Sequence, residues 1–238
     1  MISKHKISWS TPENIDFFIS TNQTGMSKGI YQYANFSTQV GDDDACVYSN
    51  IAELKKLLNI DSISFMNQKH SSIVLEAKYQ DIYLDCDAQF TANKNLACAV
   101  LTADCIPILV TNRQGSFIGC IHAGWKGLKN KVIENFFDRL HFIKKSDFIV
   151  LIGPCISASK YEVGQELYEN FINYRKRFRK NKSGNYYMNL RYIAKDILSQ
   201  LGISNVTISR SCTYNDSFYS YRKDGVTGRF ISLIWFKR

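Results

Sequence analysis

The chain holds four histidines, so each can be weighed by its setting. His5 lies near a terminus, where an exposed ring is expected. His141 follows an amphipathic stretch and suits a surface position or a helix C-terminal charge. His70 and His122 differ, because both fall where a strand-like apolar pattern breaks into polar or glycine-rich sequence. Cys105 follows Asp104 at a similar break, after the run LACAVLT. Two imidazoles and a thiolate match the borderline softness of zinc, and a catalytic zinc takes three protein ligands with a fourth position open. The separations, 35 residues from 70 to 105 and 17 from 105 to 122, fit ligands gathered from different strand ends rather than a zinc-finger clip. Spacing alone does not select this reading over two polar histidines and a buried thiol. A Cys105–His122 nucleophile pair is a second reading of the same atoms, and the two compete for one sulfur.

Seven cysteines are an odd count and contain no C-x-x-C pair. Cys98 and Cys120 sit inside apolar runs, where a reduced, buried thiol is expected. Together with an N-terminus that lacks a signal-peptide apolar core, this points to a cytosolic, reducing setting. No run is apolar enough to cross a bilayer, so no membrane partner is expected. The net charge of +9 raises a nucleic-acid reading, and six basic residues fall between Arg175 and Lys182. That run reads as a solvated helix end and loop, without the interleaved aromatic platform of RNA-binding modules.

With three prolines and no linker or repeat, residues 1–238 read as one domain. NIAELKKLL, from Asn50 to Leu58, has helical spacing. SISFMNQKH predicts a strand feeding the loop of His70, and DIYLDCDAQFT another strand. LACAVLTADCIPILVT predicts two strands broken at Thr102–Cys105, and Asn112–Gly115 a turn into SFIGCIHAG. KGLKNKVIENFFDRLHFI, YEVGQELYENFINYRKRF and NLRYIAKDILSQLG predict helices, the last capped at Gly202. DFIVLIGPCIS, NVTISRSCT and GRFISLIWF predict strands. The mixture implies an α+β or mixed α/β domain.

Several short elements resemble those of the YfiH/YlmD family, the laccase-domain or multicopper polyphenol oxidase-type proteins. They are Asn67-Gln68-Lys69-His70, Thr102-Ala103-Asp104-Cys105-Ile106-Pro107, His122-Ala123-Gly124-Trp125-Lys126-Gly127, and Gly153-Pro154 with Tyr161-Glu162-Val163-Gly164. FYSYRKDGVTGR, from Phe218 to Arg229, and an early segment from Gly25 to Asp43 complete an ordered match over nearly the whole chain. Two positions depart: Ser71 stands where the family has glycine, and Ile51 follows Asn50 where the family commonly has arginine.

The resemblance implies an α/β/β/α sandwich and a zinc site made of His70, Cys105 and His122, with copper possible at the same ligands. It implies phosphorolysis of adenosine, inosine and 5′-methylthioadenosine, with adenosine deamination beside it. Purine nucleosides and phosphate are then the partners. Within that frame Cys105, His122 and Asp104 are the candidate catalytic residues, Asp104 as acid/base or as the group orienting a ligand histidine. Asn35, Arg222 and Arg229 are the candidate substrate contacts. Trp125 reads as packing more than as a purine stacker. Gly124 and Gly127 read as permitting a tight turn into a helix whose N-terminal amides face an anion. Rivals are a peptidoglycan-precursor editing amidase and copper-dependent phenol oxidation. Four histidines are too few for a mononuclear plus trinuclear copper set.

Overall fold

The computed structural model describes residues 1–78 and 83–237. Its two large sheets stack face to face. The five-stranded sheet runs in the order β1 (Ile15–Ile19), β14 (Phe230–Phe236), β6 (Ala97–Thr102), β2 (Ile63–Met66), β4 (Tyr83–Leu84). The six-stranded sheet runs β13 (Val206–Ile208), β9 (Phe148–Ile152), β7 (Ile106–Asn112), β8 (Ile118–Ala123), β5 (Ala88–Thr91), β3 (Val74–Glu76). Strand alternation decides which side chains meet where. On β6, Cys98 and Val100 point between the sheets, with Leu109, Cys120, Leu151 and Ile234. Ala97, Ala99 and Leu101 point outward to α1 (Asp44–Leu58) through Leu54. Ile108 and Val110 of β7 point the other way, under Val132, Ile133, Phe136 and Phe137 and under α5 (Leu190–Gln200). Both faces of each sheet are therefore covered, which is why these strands read as unbroken apolar runs. The layers are α/β/β/α, as the resemblance implies.

Differences from the sequence expectation are local. Helix α1 begins six residues before Asn50, because the Asp43 carboxylate caps it by accepting from Ala45 N. The 126–143 stretch is two helices, α2 (Trp125–Lys129) and α3 (Val132–Arg139), broken at Lys131 with φ +64°. The stretch after Tyr161 is only briefly helical. It holds β10 (Glu162–Val163), α4 (Gln165–Asn170), a 3-10 segment (Ile172–Arg177) and β11 (Phe178–Lys180). Here β10 and β11 flank β12 (Tyr186–Met188) in a small third sheet. The basic cluster thus spans the last turn of that 3-10 helix and continues along β11, with most of its side chains exposed. Arg177 is bound to Asp196 at 2.7 and 2.8 Å, and Arg179 lies over Tyr187. The single strand read over 81–91 is two, β4 in the five-stranded sheet and β5 in the six-stranded one, and residues 81 and 82 lie outside the described set. All seven cysteines are free, with Cys98 and Cys120 buried between the sheets. His5 is half-buried against Phe218, and His141 is exposed. Among the described residues no helix is long and apolar enough to cross a membrane.

Candidate metal centre and cleft

The chain passes from one large sheet to the other between β6 and β7, and Cys105 sits at that crossing. The hairpin that follows, turned at residues 112–115, pairs Pro107 with His122 and Ile106 with Ala123. Its register returns His122 and Gly124 beside Cys105, although 17 residues of chain separate the two ligands (105 to 122). His70 arrives by another route. Strand β2 runs parallel to β6, so both strands end on the same edge. Beyond β2, the Gln68 amide continues the ladder in side-chain form: Nε2 donates to Leu101 O at 2.7 Å, and Oε1 accepts from Leu101 N at 2.9 Å.

The ligand atoms of His70, Cys105 and His122 all lie within 4.8 Å of one another, and this is the one such group of three among the described residues. Cys105 Sγ is 3.7 Å from His70 Nε2, and the two imidazole centroids are 4.7 Å apart. Space is reserved there. A Cβ added at Gly124 would stand 2.9 Å from Cys105 Sγ and 2.9 Å from His70 Cδ2. Gly124 has an ordinary φ of −76° at the entry to α2, so its missing side chain provides clearance. Helix α2 behind it is only five residues long, too short to offer an anion site at its N-terminus.

Asp87, at the entry to β5, organises the ligands and was not singled out in the sequence. Its fully buried carboxylate accepts from Lys69 N (3.2 Å), His70 N (3.0 Å), Ser71 N (2.5 Å) and Ser71 Oγ (2.7 Å). It also lies 2.7 Å from His122 Nδ1. That pairing commits Nδ1 and leaves Nε2 of His122 for an ion. The His70 loop bends at His70 itself, with φ +58°, and not at the family's glycine position. Ser71 there contributes a hydroxyl bond that glycine cannot make.

The cluster sets its own protonation. Burial alone would raise the Cys105 thiol, but the charges and hydrogen bonds of His122 and His70 bring it down to about 6. Burial would likewise lower His122, yet Cys105 and Asp87 raise it to about 9. Burial disfavours the Asp87 carboxylate, but His122 and the Ser71 donors hold it near about 2. A deprotonated sulfur beside two imidazoles is the donor set that zinc or copper takes, and the residues fit such an ion.

A cleft of about 550 Å³ opens over these donors and is lined also by Trp125, Ile156, Tyr161, Leu190, Arg222 and Arg229. Arg229 is half-buried, with Nη1 donating to Thr227 O and Gly228 O. Burial lowers its pKa, opposed by the nearby Cys105 and Asp104. Arg222 lies over the Tyr161 ring at 4.8 Å and donates to Glu162 O. No carboxylate within salt-bridge reach faces either arginine among the described residues.

Two expected site residues are engaged by the protein's own groups, and of these Asp104 lines the cleft. Asp104 does not orient a histidine. Its carboxylate accepts from Thr213 Oγ1 and from Arg222 N, both at 2.6 Å, and steadies a backbone of φ +93°. Asn35 is fully buried and stands outside the cleft lining. Its amide donates to Ser37 O and Asp42 Oδ2 and accepts from Ser37 N and Arg229 N, which uses its whole hydrogen-bond capacity. Its bond from Arg229 N sets it behind that arginine. Ile51 packs with the outer apolar layer under α1, away from the cleft.

Fold and donor set thus define a four-layer protein with a His-Cys-His group that could hold a metal ion at the crossing between its sheets. Over residues 16–237 the sequence matches the family described as multi-copper polyphenol oxidoreductase laccase, and the chain belongs to that family, the YfiH/YlmD type. It is 34% identical to the "Purine nucleoside phosphorylase" of Haemophilus influenzae over 238 residues, covering 96% of this chain and 97% of that one. It is 30% identical to the "Purine nucleoside phosphorylase YfiH" of Escherichia coli, covering 95% and 96%. A crystal structure of a Neisseria meningitidis protein superposes with a TM-score of 0.92 at 34% identity, covering 97% and 98%. Relatives of this name and likeness support an enzyme.

Proposed function

We propose that this chain is a zinc-dependent purine nucleoside phosphorylase. In this reading it converts adenosine, inosine or 5′-methylthioadenosine with phosphate to the free base and a ribose 1-phosphate, and it deaminates adenosine at the same site. One observation carries the reading: a single cleft joins the His70–Cys105–His122 donors to two arginines that lack carboxylate partners. A volume of about 550 Å³ is ample for a nucleoside beside phosphate. The relatives' printed names agree with it.

Phosphorolysis breaks the C1′–N9 bond, leaves the electron pair on the purine, and forms a C1′–O bond to phosphate. The two reactants must be held in contact while negative charge moves from phosphate to base. Arg229, fixed by Asn35 through its backbone and by its own carbonyl contacts, offers the anchored cation for phosphate. Trp125, Ile156, Tyr161 and Leu190 belong to one apolar cluster and form the wall suited to a flat base. Arg222 closes that wall. His70, Cys105 and His122 would hold zinc, or copper as the alternative ion, and the bound ion would supply Lewis-acid polarisation.

The test is direct. Zinc-loaded protein with inosine and phosphate is expected to release hypoxanthine, and adenosine without phosphate is expected to yield inosine. Neither product under those conditions overturns the reading. The lowered Cys105 thiol supports a second one, thiolate chemistry on an amide such as a mis-assembled peptidoglycan precursor. Cleavage of that precursor by metal-stripped protein, with both nucleosides left untouched, would establish it.

A further inference from the structure

The phosphorylase reading leaves open which group meets the charge that builds on the departing base. Most polar groups lining the cleft are already engaged. His70, Cys105 and His122 form the metal centre. The Asp104 carboxylate is held by Thr213 and Arg222 N. The Gln68 amide is bound on both sides to Leu101. Thr102 Oγ1 is sealed from the cleft without a partner.

Among the buried side chains of the lining Tyr161 is the exception; Tyr221 also borders the cleft, but it is exposed to solvent. Tyr161 is 9% exposed and lines the cleft. Its backbone is fixed at both ends, N donating to Ala158 O and O accepting from Met188 N. Its ring is held in the apolar cluster with Ile156 and Leu190 and covered by Arg222 at 4.8 Å. Its hydroxyl, unlike that of Thr102, is not sealed, and it has no hydrogen-bond partner among the described residues. We infer that Tyr161 is a catalytic residue whose hydroxyl donates a hydrogen bond to an acceptor atom of the departing purine. The inference rests on the phosphorylase reading.

The physical case is one of placement. With the base seated on the apolar wall, a phenol held in that wall is a donor already beside the group that gains charge, and it needs no reorganisation as the bond breaks. The guanidinium over its ring favours polarisation of the O–H toward the base. Burial raises the phenol pKa, so it stays protonated and able to donate at neutral pH. The proton is shared, not transferred: the electron pair of the C1′–N9 bond goes to the base, and Tyr161 keeps its hydrogen.

The experiment compares Tyr161→Phe with wild type on inosine and on 7-methylinosine, whose base departs without net negative charge. Removing one donor of this kind is expected to lower kcat on inosine by about 100-fold. On 7-methylinosine the loss should be at most about threefold, since little charge remains to be met. Hypoxanthine binding, followed by calorimetry, should weaken by about tenfold, while zinc content and thermal midpoint stay at the wild-type values. Equal losses on both nucleosides, an unchanged inosine rate, or loss of zinc would each overturn the assignment. Wild-type turnover with an indifferent Tyr161→Phe removes Tyr161 alone. Wild-type protein that splits neither nucleoside removes the phosphorylase reading with it.

Discussion

Replacing Asp87 with asparagine tests how far one buried carboxylate assembles the centre. Oδ1 serves His70 N and His122 Nδ1, while Oδ2 serves Lys69 N, Ser71 N and Ser71 Oγ. An amide can replace only one of those oxygens with an acceptor. Whichever way it turns, its NH₂ group faces two or three donors that lose their partner. At about 1 kcal/mol for each lost bond, the variant should be less stable by about 2–3 kcal/mol. Zinc affinity should fall about 10- to 100-fold, because the bond that orients His122 and the bonds that bend the His70 loop weaken together. Denaturant unfolding of metal-stripped protein and chelator competition of loaded protein read the two effects separately. The pH dependence has a definite sign. The Asp87 carboxyl is depressed from 3.8 to about 2, so its stabilisation is complete above 3.8 and lost as pH falls through about 2. The gap between wild type and Asp87→Asn should therefore close across that acid window. A variant equal to wild type in stability and zinc affinity at pH 7 would refute the role given to Asp87.

Three further outcomes follow from the same geometry. Gly124→Ala places a methyl 2.9 Å from Cys105 Sγ and His70 Cδ2, so purified protein should carry markedly less metal; full metal content would show that the site yields easily. Arg229→Ala should raise the KM for phosphate by about tenfold or more while metal content holds, and an unchanged KM would move the phosphate elsewhere. In metal-stripped protein, alkylation of Cys105 should rise with pH around a midpoint near 6, well below the ordinary thiol value of 9.0, and zinc should suppress it. A midpoint at or above 9 would contradict the pairing of Cys105 with the two imidazoles.

The three residues that the fold gathers, His70, Cys105 and His122, are legible in the chain because each lies in a short element next to a strand break, with plain strand runs on either side. The outward and inward alternation of β6 and β7 was also present in the letters, although nothing local says that the two strands belong to different sheets. Asp87 escaped notice for a physical reason. Its partners are backbone amides and side chains from residues 69–71 and from His122, so its role exists only once β5 lies between them. Gln68 is similar, since its side chain mimics a strand across to Leu101, 33 residues on. The break at Lys131 was hidden because Leu128, Val132, Ile133 and Phe136 keep helical spacing through it, with no glycine or proline to mark the left-handed residue. The strand at Glu162–Val163 was read as helix because its partner, Tyr186–Tyr187, arrives more than twenty residues later. Asn35 has a side chain well suited to a substrate, and only its four bonds in the fold show that none of its capacity remains.

The most direct check is the metal content per chain of purified wild type and of Cys105→Ala, His70→Ala and His122→Ala, measured by mass spectrometry of the elements. A single ion gripped by one sulfur and two imidazoles requires about one equivalent in the wild type and near none in each variant. Variants that keep the full complement would show that these three side chains do not hold the ion.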